Sequence, residues 1–382
     1  MKVLIAVDSF KGSLSTWEAG NAVAEGIQMA DPYAETMACP LADGGEGTVD
    51  AIVSMRKGRM KQVFVHGPLG KQVLASYGVL DETKTAVIEM ASAAGLTMVP
   101  ENMRNPLYTT TFGVGEMIAD AIQNEGCRSF IVGIGGSATN DGGIGMLQAL
   151  GFSFLDENGK EIPFGALGIE HLHRIETRNA MKALSECHFS VACDVKNPLC
   201  GENGCSAVFA PQKGATAAMI EKMDAWLSLY AEKTKLFVNG EANADFPGCG
   251  AAGGLGFAFL SYLHAELKSG IALVMEFSAL EEKIRLADLV ITGEGCLDGQ
   301  SCMGKAPVGV AMLAKKYGKP VIAVAGTVKS DANLTHQYGI DAFFPILRKP
   351  CQLSEAMETK NAYQNLKQTS EEIFRLFNIR KN

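Results

Sequence analysis

The chain has 382 residues and a formal net charge of −8, from 34 Lys plus Arg against 42 Asp plus Glu. That length suits about two domains, and the acidic balance argues against general duplex binding, which needs basic patches to neutralise phosphates. Hydrophobic residues at 47% and charged residues at 20% argue against a disordered, fibrous or coiled-coil chain, and 42 glycines, many clustered with Asp, Ser and Thr, are the informative excess.

Taken in chain order, Lys2–Val7 is an apolar run stopped by Asp8, shorter than a secretory core, and reads as a buried first strand. Thr16–Ala30 has helical spacing, Glu35–Cys39 reads as a second strand, Gly47–Met55 as a helix and Met60–Val65 as a third strand. Val73–Leu80 and Thr85–Met90 flank Asp81-Glu82-Thr83-Lys84 and predict an antiparallel hairpin. Helices are predicted at Phe112–Asn124, Ile144–Leu150 and Ala217–Ala231; in the last, Met219, Met223, Trp226 and Tyr230 share one face, which suits a core. The long uncharged stretch Pro247–Ala265 carries five glycines and a histidine and makes a poor membrane span. Ala287–Thr292, Val321–Ala325 and Asp341–Pro345 read as strands, Ala306–Tyr317 as a helix ended by Gly318, and Ser354–Phe377 as a helix packed on the first sheet.

Three strands from each end predict one six-stranded parallel sheet built from residues 1–67 and 284–382. A second α/β domain with a mixed sheet, residues 68–283, is inserted into it. The ten cysteines contain no C-x-x-C, so free thiols in a reducing cytoplasm are expected, with no membrane segment.

Five Gly/Asp/Ser-rich clusters follow predicted strands or precede predicted helices, where open α/β sheets collect ligands. They are Asp8–Ser13, Ala42–Thr48, Gly133–Asp141, Ala192–Leu199 and Thr292–Asp298. Each alone is ordinary turn and cap vocabulary. Together they supply exposed backbone N–H groups for phosphate oxygens, carboxylates for Mg²⁺ and lysines for a transferring group, which suits phosphoryl transfer.

Gly299–Lys305 matches G-x-x-x-x-G-K, but Ala306 stands where a phosphate loop needs Ser or Thr, so no intact Walker motif is present. Lys305 reads equally as a phosphate contact or as a solvated first-turn lysine. Gly133–Ala138 fits G-x-G-x-x-A with Asp156 as ribose acid, which keeps an NAD(P)-dependent oxidoreductase open as the alternative. Against it, Thr139–Gly143 prolongs the loop before helical spacing starts, and Asp156 precedes a turn. The histidines show no zinc spacing. Asp194, at the end of the Phe189–Cys193 run, reads as an exposed turn acid or as a general base.

In their order along the chain, Asp8-Ser9-Phe10-Lys11-Gly12, Ala42–Thr48, Arg104-Asn105-Pro106 with Thr109-Thr110, Gly133–Asp141, Cys193–Leu199, Thr292–Gly295 and Asp298–Ser301 with Gly304-Lys305 resemble the bacterial glycerate kinase family. The likeness covers essentially the whole chain. It implies a flavodoxin-like (Rossmann-like) sheet interrupted by a second α/β domain, an active site in the cleft between them, and the substrates ATP and D-glycerate with Mg²⁺. The product it implies is phosphoglycerate, 2-phosphoglycerate favoured over 3-phosphoglycerate, formed in glycerate catabolism by a cytoplasmic enzyme. A homodimer is compatible with it.

On that resemblance Asp194 orients or deprotonates the glycerate hydroxyl, with Lys11 and Asp43 as further catalytic candidates. Asp8, Asp43 and Glu294 are the candidates for Mg²⁺. Substrate and phosphate contacts fall to Asp8, Ser9, Gly44, Gly45, Arg104, Thr109, Thr110, Gly135, Gly136, Ser137, Asn140, Asp141, Lys196, Asn197, Gly293, Glu294, Asp298, Ser301 and Lys305.

Overall fold

The computed structural model describes residues 1–10, 12–41, 48–238, 240, 242–277, 280–303 and 305–379. The chain divides into two compact units, Met1–Asp43 with Ile271–Asn382, and Gly44–Gly270. Thirteen strands among the described residues run in chain order as β1 (Lys2–Val7), β2 (Glu35–Ala38), β3 (Arg59–His66), β4 (Gln72–Leu80), β5 (Thr85–Glu89), β6 (Ser129–Gly133), β7 (Ser153–Leu155), β8 (Arg174–Glu176), β9 (His188–Ala192), β10 (Glu266–Lys268), β11 (Leu289–Leu297), β12 (Val321–Val328) and β13 (Ala342–Pro345).

The first unit is built on a parallel sheet of order β13-β12-β11-β1-β2. Val3 to Val7 of β1 are all buried, as a central parallel strand requires when helices cover both of its faces. The Thr16–Ala30 helix starts at a capping box in which Ser15 and Glu18 satisfy each other's backbone N–H groups. It lies against the Thr359–Asn378 helix so closely that a Cβ on Gly26 would come within 2.2 Å of the Lys367 carbonyl oxygen. Counted within this unit alone, the strand order is 2-1-3-4-5, the flavodoxin-like arrangement, and it reverses direction between β1 and β11.

The second unit carries a mixed sheet of order β10-β9-β6-β5-β4-β3. The β3–β4 and β4–β5 pairs are antiparallel, which includes the hairpin read from the sequence, while β5, β6, β9 and β10 run parallel. Strands β7 and β8 form a small separate antiparallel pair. In the Ala217–Phe237 helix Met223, Leu227 and Tyr230 are buried, and Met219 and Trp226 pack partly against the core, so the predicted apolar face is a core face.

One expectation is corrected: the parallel sheet has five strands, not six, because β3 belongs to the mixed sheet. Its exposure alternates along Arg59–His66, and Val63 is registered with Ala75 of β4. The connection is a tight turn closed by Gly67 N–H to Lys71 O at 2.7 Å, which favours an antiparallel return. The first segment of the parallel unit accordingly ends near Asp43 instead of residue 67, and its second segment begins at Ile271. No helix among the described residues is long and apolar enough to cross a membrane.

Candidate active site

In the first unit the chemistry gathers where the strand order reverses, the position at which open α/β sheets bind ligands. Val7 is registered with Gly293, and the Asp8 N–H donates to the Gly293 carbonyl at 2.9 Å, so Asp8, just past the end of β1, stands beside Glu294 within β11. Both residues are buried, at 8% exposure. With Ser9 and Lys305 they form the polar side of a cavity of about 320 Å³, whose apolar side includes Phe10, Ile346, Leu347, Leu353 and Met357.

Glu294 is held in place: its Oε1 accepts from Ser301 Oγ at 2.5 Å and its Oε2 lies 3.6 Å from Lys305 Nζ. Burial pushes its carboxyl above the usual carboxylate range, while Ser301 and Lys305 pull it back. Asp298 works one layer behind. Its carboxylate accepts from Lys329 Nζ at 2.7 Å and from the Gln300 N–H at 3.0 Å, and its own N–H donates to Ser301 Oγ at 3.1 Å. The Lys329 bond holds Asp298 below its ordinary pKa. Ser301 and Asp298 therefore position Glu294 and Lys305.

Two adjacent buried carboxylates, Asp8 and Glu294, fit the way Mg²⁺ is commonly held, by one or two carboxylates together with substrate phosphates. Among the described residues no three His, Cys, Asp or Glu side chains converge to make a cage.

In the second unit two candidate segments leave the carboxyl ends of adjacent parallel strands, since Gly133 at the end of β6 is registered with Ala192 at the end of β9. Beyond β9, Asp194 is exposed and its Oδ1 accepts the Gly270 N–H at 3.0 Å. Lys196 is exposed, and Asn197 is tied into its own loop through Nδ2 to the Asn203 carbonyl at 2.8 Å. Beyond β6, Gly135 and Gly136 are exposed and Gly136 has φ +73°, whereas Ser137 to Asp141 turn inward and are buried.

That inward half is stapled from within. Thr109 Oγ1 donates to the Ala138 carbonyl at 2.8 Å, and Thr110 Oγ1 accepts the Phe112 N–H at 3.1 Å. Asp141 Oδ2 accepts from both the Thr111 N–H and Thr111 Oγ1 at 2.8 Å, and its Oδ1 accepts the Gly143 N–H at 3.1 Å. Burial raises its pKa against those bonds. Asn140 Nδ2 donates to Ser206 Oγ at 2.9 Å. Arg104 is half-buried, its Nε has no hydrogen-bond partner among the described residues, and its carbonyl abuts Gly214. Gly293 lies inside β11. Lys11, Asp43, Gly44 and Gly45 fall outside the described residues.

Residues 3–378 match the sequence profile described as the Glycerate kinase family. The chain belongs to the glycerate kinase family. It is 48% identical to the glycerate 2-kinase of Escherichia coli K12, over 98% of this chain and 97% of that protein. It is 47% identical to the glycerate kinase of Bacillus subtilis 168, with 98% and 97% covered. A crystal structure assigned to a glycerate kinase 2 from Salmonella typhimurium LT2 superposes with a TM-score of 0.89 at 46% identity, over 100% of this chain and 99% of that one. The enzyme is thus a kinase, phosphorylating glycerate from a nucleotide donor, as the resemblance of the motifs implies.

Within a glycerate kinase the Gly133–Ala138 segment does not behave as a dinucleotide fingerprint. The helix after it starts only at Ile144, and Ser137 is buried against Lys213. Asp156 accepts from the Asn158 and Lys160 N–H groups at 2.9 and 2.8 Å, as a turn acid does. Lys213 is the residue that sequence reasoning missed. It sits in the short turn Pro211–Lys213, ended by Gly214 at φ +92°, and a lysine in such a turn carries no local sign of burial.

Proposed function

We propose that the chain transfers the γ-phosphoryl group of ATP to the 2-hydroxyl of D-glycerate, with Mg²⁺, giving 2-phosphoglycerate. The observation that carries this reading is the cavity shared by Asp8, Glu294 and Lys305 at the strand reversal, polar on one side and apolar on the other. At about 320 Å³ it lies within the usual range for ligand pockets and exceeds what a three-carbon polar acid needs. A nucleoside against Phe10, Ile346, Leu353 and Met357, with phosphates toward Lys305, matches both sides.

Phosphoryl transfer asks for positioning and charge neutralisation more than for covalent help. Asp8 and Glu294 would hold Mg²⁺, which when bound to the donor phosphates neutralises charge on the transferring group. Lys305 neutralises phosphate oxygens, with Ser301 and Asp298 fixing its neighbours. Asp194 takes the proton from the glycerate hydroxyl as that oxygen bonds to phosphorus and the bond to the ADP oxygen breaks. The exposed Gly135-Gly136 backbone suits an anionic group of either substrate. Release of ADP that depends on D-glycerate tests the reading; ADP release unaffected by D-glycerate, with stabilisation by NAD(H) and not by MgATP, would replace it with the dehydrogenase alternative.

A further inference from the structure

Lys213 is 2% exposed, and burying an ammonium is costly unless a charge partner compensates. Its Nζ donates to Ser137 Oγ at 2.8 Å and to the Thr139 carbonyl at 2.6 Å, both uncharged acceptors. Among the described residues no carboxylate oxygen comes within 4.0 Å of it. The buried Asp141 is felt through space, but its carboxylate is engaged by Thr111 and Gly143. Desolvation accordingly lowers the lysine to about 8. Those two bonds use two of three ammonium protons. Thr139 Oγ1 and Asn140 Oδ1, in the same loop, are also buried without a hydrogen-bond partner among the described residues.

A neutral side chain would fill this volume without the desolvation cost, so fixing the loop does not by itself require a charge. The loop that Lys213 holds is the one whose Gly135-Gly136 backbone is exposed. We propose that Lys213 is a positioning residue for the substrate anion bound at that backbone: it fixes Ser137 and Thr139, and the bound carboxylate or phosphate adds to the charge compensation that the more distant Asp141 gives only through space. This rests on reading the Gly135-Gly136 loop as an anion site of the kinase. Glycerate's carboxylate and the nucleotide's phosphates share the required chemistry, anionic oxygens, and the test separates them.

Wild type, Lys213→Met and Lys213→Arg are compared in steady-state kinetics, varying D-glycerate at saturating MgATP and then the reverse. Lys213→Met is expected to raise the KM of one substrate at least tenfold, with Lys213→Arg recovering part of it. A rise for D-glycerate assigns the carboxylate, and a rise for MgATP assigns a phosphate. If both KM values stay within threefold of wild type in a folded Lys213→Met protein, the proposal is overturned while the kinase reading stands. Should Lys213→Met not fold, wild type labelled with ¹⁵N at lysine Nζ is titrated separately with D-glycerate and with MgADP. A Lys213 resonance that moves with either ligand supports the proposal, and one that moves with neither at saturation overturns it. This arm needs no turnover, so it is independent of whether the kinase reading holds.

Discussion

Ser301 Oγ donates to Glu294 Oε1 at 2.5 Å, on the side of the carboxylate away from Lys305, which lies 3.6 Å from Oε2. The pair holds a buried acid in one orientation at the strand reversal. Since burial raises the folded-state pKa of Glu294, the folded protein binds its proton more tightly than the unfolded chain does. Its contribution to stability is therefore full below the unfolded value and declines as pH rises through the folded one.

Glu294→Gln removes that charge and keeps the acceptor for Ser301. The variant is expected to melt higher than wild type at pH 7, on the order of 2 °C, with the gap closing toward pH 5. Its kcat/KM should fall about 100-fold. Melting curves at the two pH values and steady-state kinetics check both halves.

Asp194→Asn keeps an oxygen for the Gly270 N–H but cannot take a proton. Turnover should fall by about 10² to 10³ with KM for D-glycerate within threefold and an unchanged circular dichroism spectrum. Near-normal kcat in the folded variant would remove Asp194 from the base role.

Lys305→Met decides between the two readings that the sequence left open. Its contacts to Glu294 and Asp298, at 3.6 and 3.9 Å, are long and partly exposed, so the stability change should stay within about 1 kcal/mol. Phosphate contact predicts a kcat/KM loss for MgATP of about 100-fold, and a solvated lysine predicts almost none.

Two glycines grade the demand on the Gly133–Asp141 loop. At Gly136 a Cβ would find open space, its nearest neighbour 3.9 Å away, so Gly136→Ala meets only the cost of φ +73°, about 1–2 kcal/mol. At Gly253 a Cβ would lie 2.1 Å from the Thr139 carbonyl oxygen, at φ +67°. Gly253→Ala should therefore lose more stability than Gly136→Ala in urea denaturation.

These predictions also mark what sequence could and could not carry. β1 and the opening halves of β11 and β12 are continuous apolar runs followed by polar or glycine residues, so both the elements and the clusters beyond β1 and within β11 are readable locally. β3 reads locally as the next step of a βαβ series, but Gly67-Pro68-Leu69-Gly70 after it makes a hairpin turn that returns the chain antiparallel. Thr109 and Asp141 have the residue types of a phosphate site, yet the hydrogen bonds that use them, to Ala138 and Thr111, run between segments about 30 positions apart, and only tertiary packing reveals them. Lys213 makes the same point in reverse: its partners Ser137 and Thr139 are more than 70 positions away.

The most direct test of the central claim is proton-coupled ³¹P NMR of the enzyme incubated with MgATP and D-glycerate. Phosphorylation at the 2-hydroxyl predicts a new phosphate doublet, split by the single methine proton and absent without D-glycerate. A triplet from the neighbouring CH₂ would contradict the assigned hydroxyl, and no glycerate-dependent signal would contradict the phosphotransfer itself.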